Sequence, residues 1–406
     1  MYHYRIEKGK IPIVFYKNDS NFVSMSFVFK AGSSSETLDE YGIAHFLEHM
    51  HFQGTKTKNK KEISRLLATY GQFNAETWYF YTSYYFDCVK SNFDVCFDLL
   101  TDCVFNSTFP QEEIDKEKEV VLEEYYMYNN SQTSCFSEFV FKNAFKEEMH
   151  DIISDPENIS KFSLDKILEF RNRNYTLNNI CLVISGNLDF DELVKKVDLI
   201  EHNLTEVDTQ TVCINQHDNC KFSTTTKKFN QSSYAILLDW IHPSDDSKKI
   251  GSIFKACLQQ ILYDNIRDDL GLCYRVSLES LKDSKNSYMF LSTLTSSKKI
   301  QILEQSLNDL FNQIKITGFD DFVLELAKNQ YLYNVALLKD RSEITSDYMT
   351  NKFVYNQDFE SMKKNSNFDT EISVTNNDLI CFANKYLNNF KVFEMISEIE
   401  GEDDNE

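Results

Sequence analysis

Five consecutive residues, His45-Phe46-Leu47-Glu48-His49, restrict what this chain can fold into more than any other stretch. Two imidazoles and a carboxylate at i, i+4 and i+3 share a face only if the segment is a helix, turning about 100° per residue. On that face the imidazoles stand one turn apart and can chelate a single dication. The carboxylate between them points at the same ion without binding it, the geometry of a general base acting on metal-bound water. The pattern is H-x-x-E-H, the reverse of H-E-x-x-H. With only eight histidines in 406 residues, this clustering is a signal. His51, two residues past His49, faces away from the pair and is not a ligand.

A catalytic zinc keeps one coordination position open, so a third protein ligand is required. The charged helix expected over about 110–130, with Pro110 near its start, is the obvious donor. It offers Glu117 and Glu124, seven apart and stacked on one face. It also offers Glu119 and Glu123, four apart on another face. Helical geometry alone leaves both pairs open.

The surrounding sequence alternates strands and helices. Residues 12–31 hold two β-rich runs split by Lys17-Asn18-Asp19-Ser20, a turn cluster. Helices are expected over about 41–52, 60–69 and 91–105, with a strand pair over 72–89. Further helical stretches run to about 174, Ile180 to Gly186 reads as a buried strand, and Asp189 starts another helix. A second half follows: strand 232–238, helix 247–270, strands 273–280 and 287–295, helices 298–315 and 319–340. This α+β pattern, given twice, predicts an N-terminal catalytic domain over 1–205, a linker over 206–222 and a homologous C-terminal domain over 223–406. The last residues, 398–406, read as a solvated acidic tail.

Charge narrows the partners. With 42 basic and 63 acidic residues the net charge is −21, which argues against nucleic acid; the acid either lines an interior surface that attracts basic peptides or serves solubility alone. No apolar run approaches the ~18 residues of a membrane span. The N-terminal residues show neither a signal-peptide nor a transit-peptide pattern. Ten cysteines are scattered without a small-domain framework, as expected of reduced thiols in the cytoplasm.

The string Gly42-Ile43-Ala44-His45-Phe46-Leu47-Glu48-His49-Met50-His51-Phe52-Gln53-Gly54-Thr55 resembles the active-site signature of the pitrilysin/insulinase family of zinc metallopeptidases. Among its members the chain is most similar in size to the mitochondrial processing peptidase and small bacterial homologues. The segment from Glu117 to Glu124 fits that family's E-[RK]-x-x-V-x-x-E pattern. The resemblance implies that His45, His49 and Glu124 bind one zinc ion per chain. It implies Glu48 as catalytic base and Glu117 as the carboxylate behind the metal.

Asn74, Ala75, Glu76 and Thr77, with Thr82 and Tyr84, resemble the family's substrate-pairing edge strand. An edge strand supplies affinity with little sequence preference. Phe52 matches a position lining the pocket after the scissile bond. Arg267 and Tyr274 match a pair that reaches substrate carbonyls, where a guanidinium and a phenol can donate hydrogen bonds to a developing oxyanion. The chain departs from the family in having Asp268 where Glu is usual. The Gly-rich loop before Ile266 is also shortened.

The implied fold is α+β: two similar α/β-sandwich halves, each a mostly antiparallel sheet covered by helices, together forming half of a clam-shell. The implied function is a zinc-dependent endopeptidase acting on peptides or unfolded polypeptides, working as a homodimer or as a heterodimer with an inactive paralogue. The alternative is a non-cleaving structural or peptide-binding subunit of a heteromeric complex.

Overall fold

The computed structural model describes residues 3–7, 11–145, 149–206, 220–240, 245–282, 287–355 and 371–399. They divide into two compact units, each built on one sheet.

The first unit holds β1 (His3–Glu7), β2 (Ile13–Lys17), β3 (Phe22–Phe29), β4 (Gln72–Thr77), β5 (Thr82–Val89) and β6 (Ile180–Gly186). They pair in the order β1-β2-β6-β3-β5-β4, antiparallel except for β2 against β6. All seven residues of β6 are buried, as a strand needs when both its faces are covered. Leu182 and Ile184 join Phe15, Phe27, Phe29 and Phe86 in the larger core. Against this face pack α1 (Ile43–Met50), α3 (Phe93–Asn106) and α7 (Leu164–Asn174), while α2 (Lys60–Tyr70) lies on α3. The long α4 (Gln111–Asn129) sends Ile114 and Val121 into the same core. Two shorter helices, α6 (Pro156–Ser160) and α8 (Phe190–Asp198), add Ile159, Leu193 and Val197. Cys181 and Val183 alternate to the opposite face.

The second unit holds β7 (Lys221–Thr226), β8 (Ser232–Trp240), β9 (Val276–Lys282), β10 (Ser287–Thr295) and β11 (Phe390–Ser397). The order is β7-β11-β8-β10-β9, parallel only between β7 and β11. Ile236 and Leu238 of β8 and Met289 and Leu291 of β10 face α9 (Asp245–Ile261), α10 (Ile300–Thr317) and the helix Asn376–Tyr386. The start of α11 (Asp321–Asp340) adds Val323 and Leu324 to that core. The architecture of two helix-covered, mostly antiparallel sheets is the one expected.

The expected division at 206–222 needs an amendment. Residues 132–145 form α5 (Gln132–Phe145), which packs with the second sheet: Phe141 lies 6.2 Å from Phe290 and Phe145 5.2 Å from Tyr288. In return α12 (Ser342–Tyr355) packs on the first sheet, where Met349, Phe353 and Val354 meet Val14, Tyr16 and Val28. Of the expected linker, 207–219 lie outside the described residues, and β7 begins within its end. Residues 400–406 of the expected tail also lie outside them. The helix expected over 247–270 is α-helical to Ile261 and π-helical over Leu262–Asp269.

The buried face of α12 includes Ser342, Thr345, Ser346, Met349 and Thr350, a helical period written largely in hydroxyls. Each hydroxyl needs a partner to be buried without penalty. Ser342 donates to the Phe22 carbonyl at 2.9 Å and accepts from Asn18 at 3.1 Å, and Thr345 bonds back to the Arg341 carbonyl at 2.9 Å. No helix among the described residues is long and apolar enough to cross a membrane, and nine cysteines among them are free thiols.

If α12 is an integral layer of the first unit, Phe353→Ala lowers the stability of the protein by about 3–5 kcal/mol, as for a buried Phe in any core. Urea denaturation followed by circular dichroism measures it. A change within about 0.5 kcal/mol, the range of a surface substitution, contradicts this packing.

Candidate metal centre

Helix α1 begins at Gly42, whose φ of 88° lies in the left-handed region and whose added Cβ would come 2.6 Å from the Ser154 Cβ. Only glycine suits both demands. The first backbone N–H groups of a helix have no intrahelical partner. Glu36 meets two of them, accepting from the Gly42 N–H at 2.9 Å and from the Ala44 N–H at 2.8 Å. The apolar residues Ile43, Ala44, Phe46, Leu47 and Met50 all point into the core. His45, Glu48 and His49 occupy the remaining face, turned toward α4.

On α4, Glu117 is buried and Glu124 half-buried, whereas Glu119 and Glu123 are exposed. The choice between the two glutamate pairs thus falls on Glu117 and Glu124. Glu124 Oε2 lies 3.7 Å from His45 Nε2 and 3.6 Å from His49 Nε2. The three donor atoms all lie within 4.8 Å of one another, a grouping able to hold a metal ion. Donors about 2.0–2.1 Å from a tetrahedral ion stand about 3.4 Å apart, so a zinc-sized ion fits with small adjustments.

The atoms behind the donors are also arranged. His49 Nδ1 donates to Glu117 Oε1 at 2.8 Å, which puts the ring proton there and leaves Nε2 free to ligate. Lys60 Nζ lies 3.4 Å from the other Glu117 oxygen. His45 Nδ1 is buried with no hydrogen-bond partner among the described residues. Glu48 Oε2 accepts from Thr77 Oγ1 at 2.7 Å.

Burial acts on the protonation of each of these groups. It pushes the Glu48 carboxyl up to about 7, against the pull of the Thr77 hydrogen bond. Burial, with the His49 charge, drives His45 down to about 3. Burial also opposes charge on His49, but the Glu117 hydrogen bond and the nearby carboxylates outweigh it and raise that pKa. A dication would add its own pull, toward ionised carboxylates and neutral imidazoles.

A cavity of about 430 Å³ adjoins these groups, lined by Glu48, His49 and Glu124 on one side and by Phe52, Gln53, Leu67, Phe73, Asn74 and Ala75 on the other. Phe52, Asn74 and Ala75 were foreseen in the sequence, whereas Leu67, Phe73 and Gln53 were not. Leu67 carried no signal beyond its place on an amphipathic helix. Asn74 and Ala75 belong to β4, which among the described residues pairs only with β5 and forms an edge of the sheet. Glu76, the next residue, accepts a hydrogen bond from the Tyr81 hydroxyl at 3.0 Å. His51 is fully buried, bonded to the Cys103 carbonyl at 3.1 Å and stacked near Tyr175, away from the ligands.

Arg267 and Tyr274 lie in the second unit. The Arg267 guanidinium lies 4.2 Å from the Tyr263 ring and 5.8 Å from the Tyr274 ring, and Tyr274 is 83% exposed. Asp268 Oδ1 stands 3.8 Å from Arg267 Nε.

The Glu117–His49 contact predicts a measurable effect. Glu117→Gln weakens metal affinity by about 10–100-fold while the protein stays folded. Competition against a fluorescent chelator reads the affinity, and an unchanged value rules the contact out as a support of the metal.

Residues 13–157 match the insulinase (peptidase family M16) domain, and residues 161–331 match the peptidase M16 inactive domain. An uncharacterized zinc protease of Rickettsia bellii is 30% identical over 356 residues, covering 84% of this chain and 85% of that protein. The mitochondrial-processing peptidase subunit beta of Dictyostelium discoideum is 30% identical over 171 residues, 41% of this chain and 36% of its own length. A protease from Helicobacter pylori, 17% identical, superposes with a TM-score of 0.83 over 97% of this chain and 99% of its own, which shows a common fold. The zinc proteases among these relatives, the two matched domains and the His-His-Glu group agree with one another: the chain belongs to the insulinase family, peptidase family M16.

Proposed function

We propose that the protein is a zinc-dependent endopeptidase cutting peptides or unfolded polypeptides. The observation that carries this reading is the convergence of the His45, His49 and Glu124 donor atoms within 4.8 Å, with Glu48 beside them on one wall of a cavity and an edge strand on the other. His45, His49 and Glu124 hold the zinc. When bound, the ion supplies a Lewis acid that polarises the scissile carbonyl.

The chain's own groups do the rest. Glu48 takes a proton from the attacking water and returns it to the leaving amine. Glu117 keeps His49 oriented, with its proton on Nδ1. The unpaired edge of β4 at Asn74, Ala75 and Glu76 takes an extended peptide as a further strand. Phe52 offers apolar surface to the residue after the cut. Arg267 and Tyr274 donate hydrogen bonds to substrate carbonyl oxygens, a role their mutual proximity and the exposure of Tyr274 support. The net charge of −21 favours basic substrates. The free thiols suit a reducing compartment such as the cytoplasm. Dimerisation belongs to the same proposal and is read by light scattering as a two-chain mass.

The deciding experiment compares wild type with Glu48→Gln on a quenched basic peptide library, with metal content measured on both. Wild type cleaves and is silenced by a chelator, and Glu48→Gln keeps its zinc but loses at least about 100-fold in turnover. Equal cleavage by the two proteins rules out Glu48 as the base. Zinc in both without cleavage by either favours a binding subunit.

A further inference from the structure

We propose that Thr77 is a positioning residue that fixes the base Glu48 in register with the edge strand β4, an inference that rests on the peptidase reading above. Thr77 is the last residue of β4 and is buried. Its Oγ1 lies 2.7 Å from Glu48 Oε2. A hydroxyl has one proton to donate, so its direction can be worked out from its neighbours.

The nearest competitor is Thr82 Oγ1, 3.5 Å away and directly opposite across the hairpin. Thr82 gives its own proton to the Ala31 carbonyl at 2.8 Å. It has none left for Thr77 or Glu48. The Thr77 proton therefore goes to the much closer carboxylate. One oxygen of Glu48 is taken by this bond, and the other is left for proton transfer.

The donor itself is held firmly. Trp78 N–H bonds to the Tyr81 carbonyl at 2.8 Å and closes the hairpin. Gly32 lies so close against this turn that a Cβ there would come 2.0 Å from the Trp78 carbonyl oxygen. Ser33 and Ser34 N–H groups bond to the Trp78 and Tyr79 carbonyls at 3.2 and 2.8 Å. Behind the hairpin, the fully buried Tyr84 hydroxyl shares a 2.8 Å hydrogen bond with Tyr175.

The consequence is geometric. A glutamate has three side-chain torsions and loses rotamer freedom only if something holds its end. Thr77 holds the end of Glu48, and Thr77 is continuous with Asn74, Ala75 and Glu76. One hydrogen bond thus ties the proton acceptor to the strand proposed to carry the substrate backbone. The separation between base and scissile bond is set by three residues of extended chain and does not depend on α1 alone.

The test compares kcat, KM and metal content for wild type, Thr77→Val and Thr77→Ser on one quenched peptide. Val keeps the branched shape and removes the hydroxyl, whereas Ser keeps the hydroxyl. Thr77→Val lowers kcat by about 10–100-fold, the scale of a misplaced reacting group. Its KM moves by less than about twofold, as expected when ground-state binding is untouched. It retains its zinc, and Thr77→Ser recovers most of the lost kcat. Wild-type kcat in Thr77→Val overturns the inference, as does an equal fall in Thr77→Ser. Loss of zinc together with activity assigns Thr77 a structural role and also overturns it. If Thr77→Val does not fold, Thr77→Ala carries the same comparison with no added methyl group. An inactive wild type defeats the peptidase reading itself, and this inference with it; an active wild type beside an unaffected Val variant defeats this inference alone.

Discussion

The site depends on how one short helix is gripped. The eight residues of α1 carry two candidate metal donors and the proposed base, and a helix this short has little stability of its own. Two forces fix it. Its apolar stripe is buried against the sheet, which sets its rotation. The Glu36 carboxylate, wholly buried, takes the Gly42 and Ala44 N–H groups and sets its position along the axis. Burial raises the Glu36 carboxyl well above the usual range, and the two backbone hydrogen bonds work against that rise. The preceding loop is tied in turn, since Glu40 accepts two hydrogen bonds from Arg173 on α7, at 3.0 and 2.6 Å.

Given that grip, the groups facing α4 form a centre able to hold a cation. Glu117 and Glu124 reach the two imidazoles with Glu48 beside them, and among the described residues the lysine paired with these carboxylates is Lys60, on Glu117. Like charges at this spacing repel strongly at low dielectric. The dication proposed between His45, His49 and Glu124 would relieve that repulsion.

Much of this was legible in the residues. The H-x-x-E-H spacing puts all three side chains on one face once the segment is helical, and the apolar run Ile180 to Ile184 announces a doubly covered strand. Helical geometry alone narrows the third candidate donor only to two pairs, because α4 is charged around most of its circumference, and it is the resemblance that singles out Glu124. Burial separates Glu117 and Glu124 from Glu119 and Glu123, and burial is a property of what α4 leans on. The hold of Thr77 on Glu48 spans 29 residues and joins a strand end to a helix, so neither local pattern contains it. Helix α12 escaped notice for a different reason. Its buried face is made of Ser and Thr, whose polarity hides the period that a leucine-rich face would show.

The exchange of α5 and α12 has a consequence for the order in which the chain can fold as it is made. The sheet on which α1 packs is complete in sequence by Gly186, yet the layer over its second face arrives with residues 342–355. Until then Val14, Tyr16, Val28 and Val183 lack the cover of Met349, Phe353 and Val354. The helix α5 meanwhile waits for a sheet that begins near residue 221. A truncation after the first sheet therefore removes the α12 layer from one of its faces and leaves α5 without the sheet it packs on, so each unit draws an element from the other half of the sequence.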